Sequence, residues 1–112
     1  MSRDWRLYAD DIMAACSKIV RYTSGLSKEQ FLSDDKTYDA VLHNLEVIGE
    51  AAKNLPDDAK DRKREMDWRK IVGLRSVIAH GYFGLDPDIL WDIVSHKVPQ
   101  LREAIHQLIE KR

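Results

Sequence analysis

Apolar residues recur at steps of three and four along four segments of the chain. The first of these segments has this spacing at Trp5, Tyr8, Ile12, Ala15 and Ile19. Because an α-helix turns by about 100° per residue, residues spaced in this way line one face of a helix. The same period runs through residues 41–55, 68–79 and 90–108. No segment of comparable length alternates with period two, so the sequence predicts an all-α protein.

Short local patterns predict where the helices begin and end. Ser27 opens a capping-box pattern, which is typical of the start of a short helix. Pro56 ends the second apolar segment, because proline cannot continue the hydrogen-bond ladder. The polar stretch PDDAKDRKREMD that follows predicts a surface connection with at most one weak helical turn. Asp86 and Pro87 predict the start of a long last helix, which Pro99 is expected to bend.

Together these segments predict a single helical domain over residues 1–112, an antiparallel four-helix bundle with one short extra helical turn. The segment after residue 67 is expected to end at the glycines 81 and 84 and to bury Trp68, Ile71, Val72, Ile78 and Ala79. Arg75 falls on the same apolar stripe, where a lone charge is costly unless it is paired or binds an anion. Glu46 and Glu50 on the preceding helix are candidate partners.

Composition excludes several classes of protein. A formal net charge of -1 argues against a protein that coats nucleic acid, so any contact with RNA is expected to be local. Cys16 is the only cysteine, which excludes an intramolecular disulfide and favours a reducing compartment. The first residues form no long hydrophobic run, so we expect neither a secretory signal nor a membrane span. A cytoplasmic location is therefore predicted.

The stretch RSVIAHGY, at residues 75–82, contains the candidate chemistry. On an ideal helix, Arg75 and His80 are separated by about 140° and about 7.5 Å. They converge if the helix loosens near its end, if the arginine reaches over, or if two copies of the protein share one pocket, and the sequence permits all three. Histidine moves protons near neutral pH, arginine stabilises charge on phosphoryl oxygens, and RNA supplies its own 2′-hydroxyl nucleophile.

Other candidate sites have less support in the sequence. The three remaining histidines, His43, His96 and His106, lie on different helical segments and match no metal-binding motif, so no metal or cofactor is predicted. Ser76 and His80 share a helix face, but no nucleophile elbow or oxyanion loop accompanies them. The tryptophans are interpreted as core or interface anchors.

Three segments, found in the same order, resemble the HepT-like toxins of the HEPN superfamily. They are EVIGEAAKNL at 46–55, DWRKIVGLRSVIAHGYFGLD at 67–86 and DILWDIVSHKVPQL at 88–101. The core of the resemblance is the signature Arg-x4-His-x-Tyr, matched by Arg75, His80 and Tyr82. Many relatives have a more strongly polar residue, often asparagine, directly after the arginine, whereas this chain has Ser76, which keeps a hydrogen-bonding group there.

The resemblance implies an endoribonuclease that acts as a homodimer, with residues of both subunits lining one cleft. It implies that Arg75 and His80 are catalytic and that a nucleotidyltransferase antitoxin silences the enzyme by attaching AMP to Tyr82. Ser76 and Glu50 would support Arg75. The alternative is a non-catalytic helical dimer that binds a nucleotide or a partner protein, and the near-neutral charge favours it, because free RNA would be attracted weakly.

Overall fold

The computed structural model describes residues 4–81 and 85–110, and the side chains of residues 80 and 81 lie outside the description. Within these ranges the α-helices are α1 (Trp5–Thr23), α2 (Lys28–Ser33), α3 (Asp35–Lys53), α4 (Asp57–Asp61), α5 (Trp68–Gly81), α6 (Pro87–Asp92) and α7 (Val98–Glu110). A π-helical turn, Ile93–Lys97, joins α6 to α7. The described ranges contain no strand, which confirms the all-α prediction. None of their helices is long and apolar enough to cross a membrane.

The core is formed where α1 packs against both α3 and α7. Every apolar position that the spacing assigned to α3 and to the last helix is buried: Val41, Leu45, Ile48, Ala52, Leu55, Leu90, Val94, Val98, Leu101, Ile105 and Leu108. In α1 the central positions are buried and the first two, Trp5 and Tyr8, are half-buried. With α5 packed on the outer side of α3, the predicted bundle of four main helices is confirmed.

Two short helices accompany the bundle: α2 begins at the predicted capping box, and α4 lies in the polar stretch, where one weak helical turn was predicted. In α2 the capping box is complete, since the Ser27 hydroxyl accepts from the Gln30 backbone N–H and the Gln30 side chain accepts from the Ser27 N–H. In α4, Ala59 is fully buried. Asp57 and Asp58 in its first turn stabilise the positive end of the helix dipole. These contributions explain why the polar stretch forms a helix.

The last helix is divided by its π-helical turn, which ends just before Pro99. Proline lacks a backbone N–H, and its ring crowds the carbonyl four residues earlier, here that of Ser95. The Ser95 hydroxyl donates to the Trp91 carbonyl at 2.5 Å, which satisfies one backbone acceptor in this region. We predicted a bend caused by Pro99; the structure shows a change of helix type directly before it.

Helix α5 is less buried than its apolar spacing predicts. Of the positions expected in the core, Ile78 is buried, whereas Trp68, Ile71 and Val72 are half-buried and Ala79 is exposed. The assignment of Ala79 to the core is therefore wrong. The reason is that, within the described ranges, α5 makes most of its contacts with α3, so much of its surface is not covered by another described helix.

Candidate functional site

Arg75 lies at the contact between α5 and α3, with 54% of its side chain exposed. Its Nε atom is 3.0 Å from Oε2 of Glu50, a side chain that is 53% exposed. The ion pair that the sequence allowed is present, and Arg75 is half exposed although it falls on the apolar stripe of its helix. Exposed ion pairs contribute only about 0–1 kcal/mol, because water screens them. The pair therefore orients the guanidinium more than it stabilises the fold.

Gly49 brings the backbones of α3 and α5 together beside this ion pair. A Cβ atom at Gly49 would lie 2.8 Å from the backbone nitrogen of Arg75 and 3.2 Å from the carbonyl oxygen of Ile71. Real Cβ atoms do not approach backbone this closely, so the crossing requires glycine. The sequence analysis missed Gly49. The signal in the sequence was a glycine in a helix interior, where glycine lowers the stability of the helix and is usually present for a packing reason.

The motif's second residue, His80, lies in the last turn of α5. Because the described backbone is α-helical through Gly81, the helix does not loosen there, which removes one of the three ways in which Arg75 and His80 could converge. An extended arginine and a pocket shared between two copies remain. Ser76 is exposed beside Arg75. The side chain of His80 and the whole of Tyr82 lie outside the described residues, as does Gly84, and the functions assigned to His80 and Tyr82 stay predictions.

An apolar groove of about 350 Å³ runs between α5 and the last helices. Apolar side chains that line this groove include Ile48, Ile71, Leu74, Ile89, Ile93, Val98 and Leu101. Ile89 is 62% exposed, an unusual degree for a large apolar side chain beside other apolar residues. Lys70 and Lys97 belong to the lining as well. The groove lies where α5 fails to pack closely on α6 and α7.

The π-helical turn contains a serine, a histidine and a nearby aspartate, but they do not form a catalytic triad. Ser95 Oγ is 3.2 Å from Nδ1 of His96, and Asp92 Oδ1 is 3.1 Å from the same nitrogen. A triad requires the serine and the aspartate on opposite ring nitrogens. No group of three or more metal-ligating side chains occurs in the parts of the chain that the structure describes.

Cys16 is a core residue of α1. It is fully buried, and burial raises the pKa of its thiol to about 12. The reactive form of cysteine is the thiolate. Cys16 is therefore a packing residue and not a nucleophile at neutral pH.

An all-α bundle that displays an arginine on the surface of one helix, with the histidine of an Arg-x4-His-x-Tyr motif in the last turn of that helix, fits the class of helical ribonucleases. The profile of the family described as "Ribonuclease HepT-like" matches residues 12–108. The chain belongs to this family. Family membership confirms the prediction of a ribonuclease of the HEPN superfamily.

Relatives with similar names match nearly the whole chain. A protein of Thermococcus cleftensis named as a probable ribonuclease HepT is 39% identical over 96% of this chain and 98% of its own length. A protein of Methanocaldococcus jannaschii named as a putative RNase is 39% identical, with 96% and 89% covered. One of Caldanaerobacter subterraneus with the same kind of name is 31% identical, with 95% of each chain covered. No solved structure matches the chain.

Proposed function

We propose that this protein is the toxin of a toxin–antitoxin system, an endoribonuclease in which Arg75 and His80 cleave RNA. The observation that carries the proposal is the guanidinium of Arg75, which Glu50 orients on the protein surface while leaving it accessible to a phosphate. Arg75 is half exposed, and it lies in the segment that resembles the ribonuclease motif, within the residues that the family profile matches.

The proposed reaction is attack of the RNA's own 2′-hydroxyl on the adjacent phosphorus. His80 accepts the hydroxyl proton as general base, the 2′-oxygen bonds to phosphorus, and the bond from phosphorus to the 5′-oxygen breaks. The products are a 2′,3′-cyclic phosphate and a 5′-hydroxyl, whose proton comes from a protonated histidine or from water. Arg75 donates hydrogen bonds to the non-bridging oxygens as their negative charge increases. Residues of this chain therefore supply both the general base and the hydrogen-bond donors to the phosphate.

Glu50 and Ser76 have supporting functions in this proposal. A carboxylate at Nε holds the plane of the guanidinium and leaves its terminal nitrogens for the phosphate. Ser76, exposed next to Arg75, supplies a hydroxyl near the same phosphate. Neither residue exchanges a proton with the substrate.

The proposed active unit is a homodimer in which each protomer contributes to one cleft. Two observations support this part of the proposal. Because the backbone is α-helical through Gly81, positions 75 and 80 are separated by about 140° around α5. A cleft shared between two copies is one of the two remaining ways to bring both motif residues to one phosphate. The exposed apolar groove beside α5 offers a second copy a surface to bury.

We also propose that a nucleotidyltransferase antitoxin silences the enzyme by adding AMP to Tyr82. Tyr82 is two residues beyond His80 in the sequence. An adenylate group there would add negative charge and bulk beside the cleft. RNA phosphates would be repelled and physically blocked, as with other charge-adding modifications.

The purified protein is expected to cleave RNA in the presence of EDTA, because the proposed chemistry uses protein groups and the RNA's own hydroxyl. The substrate is a mixed-sequence RNA oligonucleotide with a fluorophore and a quencher, and its matched control is the same sequence with 2′-deoxy sugars, which should stay intact. Sedimentation of the same preparation should show dimers at micromolar concentration. Intact RNA would favour the non-catalytic binding module, and monomers alone would contradict the shared cleft.

The second expected result concerns the antitoxin. When the chain is expressed together with a nucleotidyltransferase encoded beside it, intact-mass spectrometry should show added adenylate, and peptide mapping should place it on Tyr82. Tyr82→Phe should remove this mass and leave cells sensitive to the toxin despite the antitoxin. Tyr22→Phe is the control, because Tyr22 is a half-buried tyrosine on α1, distant from the motif in sequence, and this variant should keep the modification. Adenylate on another residue would contradict the assignment.

A further inference from the structure

The crossing of α3 and α5 depends on one residue without a side chain. Gly49 is buried, and a Cβ placed on it would lie 2.8 Å from the Arg75 nitrogen and 3.3 Å from the Arg75 Cβ. The nearest atom belongs to backbone and not to a flexible side chain, so α5 as a whole would have to move to admit a methyl group. The segment of α5 that would move first is the one that contains Arg75.

Little else in the described structure holds this part of α5 in place. Its other described neighbours contact it weakly, and the groove separates it from the last helices. Glu50, which pairs with Arg75, is the next residue after Gly49 on α3. One crossing point therefore sets both the distance between the two helices and the distance between the guanidinium and the carboxylate.

We propose that Gly49 is a positioning residue for the ribonuclease reaction, which holds the Arg75 guanidinium at the site by fixing the close crossing of α3 and α5. This inference rests on the proposed function of Arg75. Gly49 does not touch the substrate; it acts through the place that it gives to Arg75. Small displacements of a catalytic group are costly, and a misplacement of about 1 Å can lower a rate by about 10²-fold.

The variant that tests this is Gly49→Ala. Alanine normally favours a helix interior over glycine, so a loss would arise from the contact with α5 and not from helix propensity. We expect kcat to fall by about 10- to 100-fold with little change in KM, because an interaction made mainly in the transition state would be lost. If Gly49 served only the stability of the fold, the variant would unfold at a lower temperature but would cleave normally below its transition.

Two further measurements separate positioning from packing. In nitrogen-edited proton NMR, the Arg75 Nε–H resonance should shift in Gly49→Ala, because its distance to Glu50 changes. In Gly73→Ala, also on α5, the same resonance should keep its chemical shift, since a Cβ atom at Gly73 would meet nothing within 4 Å. The double variant Gly49→Ala with Arg75→Ala should be no slower than Arg75→Ala alone, because Gly49 acts through that arginine.

Failure of the Gly49 proposal can be distinguished from failure of the proposed function of Arg75. Equal cleavage by the wild type and Arg75→Ala would remove the catalytic function of the arginine, whereas the NMR shift reports on Gly49 without any cleavage. A folded Gly49→Ala with normal kcat and an unshifted resonance would overturn the proposal, as would losses that multiply in the double variant. If Gly49→Ala fails to fold, the same measurements are made on Gly49→Ala combined with Gly73→Ala, in which the second alanine favours the helical form of α5. If this combined variant also fails to fold, the proposal is overturned, since the crossing would then serve the fold alone.

Discussion

Arg75→Ala is expected to lower the rate of RNA cleavage by about 10²–10³-fold, the loss typical when one donor to a developing oxyanion is removed. The guanidinium is half exposed and oriented by Glu50, so it is available to a phosphate before the substrate arrives. Arg75→Lys should recover only a small part of the rate, because an ammonium keeps the charge but lacks the planar fork of donors. Single-turnover cleavage of the fluorescent RNA measures both variants.

The fold should tolerate the loss of Arg75. The pair with Glu50 is exposed, and such pairs contribute about 0–1 kcal/mol to the free energy of unfolding. The unfolding temperature of Arg75→Ala should therefore differ little from that of the wild type, while cleavage is lost. Arg69→Ala is the matched control, since Arg69 is an exposed arginine on the same helix and should be dispensable. A folded Arg75→Ala that cleaves as fast as the wild type would show that the guanidinium has no part in the reaction.

The interior of the bundle was largely predictable from the sequence. In α3 and the last helix, the apolar period of three and four identified buried residues at every assigned position, because those helices have neighbours that cover their apolar faces. The predicted start at Asp86 and Pro87 is confirmed as well: the Asp86 carboxylate accepts from the N–H groups of Asp88 and Ile89, and Pro87 takes the first helical position. Local side-chain chemistry decides such boundaries, so a local pattern suffices to find them.

The position of α5 was not predictable in the same way. An apolar period shows which face of a helix avoids water, but it does not show whether another helix covers that face. On α5 only Ile78 is buried among the predicted core residues, and Ala79 and Arg75 lie at the surface. The difference between the predicted and the observed burial arises from contacts between segments distant in sequence. Such contacts cannot be inferred from the pattern of a single segment.

The sequence allowed an ion pair for Arg75, but it did not show which carboxylate would form it. Glu46 and Glu50 were both candidate partners for Arg75, and helical spacing alone does not choose between them. The crossing at Gly49 makes the choice, because it brings the backbone of α5 against α3 directly beside Glu50. A residue with no side chain offers no chemical signal, so its importance is visible only when the two helices are seen together.

His80→Ala is the substitution from which we expect the largest loss of activity, about 10²–10⁴-fold in the rate of cleavage, the usual contribution of a general acid or base. Histidine is the side chain that exchanges protons near neutral pH without a shift of its ordinary pKa. If it accepts the 2′-hydroxyl proton, the neutral imidazole is the active form. The wild-type rate should then fall as the pH is lowered through the neutral range, because the imidazole becomes protonated.

The pH profile separates this function from a structural one. In His80→Ala and in His80→Gln, the residual rate should no longer follow the titration near neutral pH, although glutamine keeps a polar side chain of similar size. His43→Ala is the matched control, because His43 is exposed on α3 and its loss should leave both the rate and the profile unchanged. In cells, expression of the wild type should slow growth, whereas cells that express His80→Ala should grow like cells without the protein. A folded His80→Ala that keeps the same rate, profile and toxicity would contradict the proposed general base, and the proton would then have to be taken by another group.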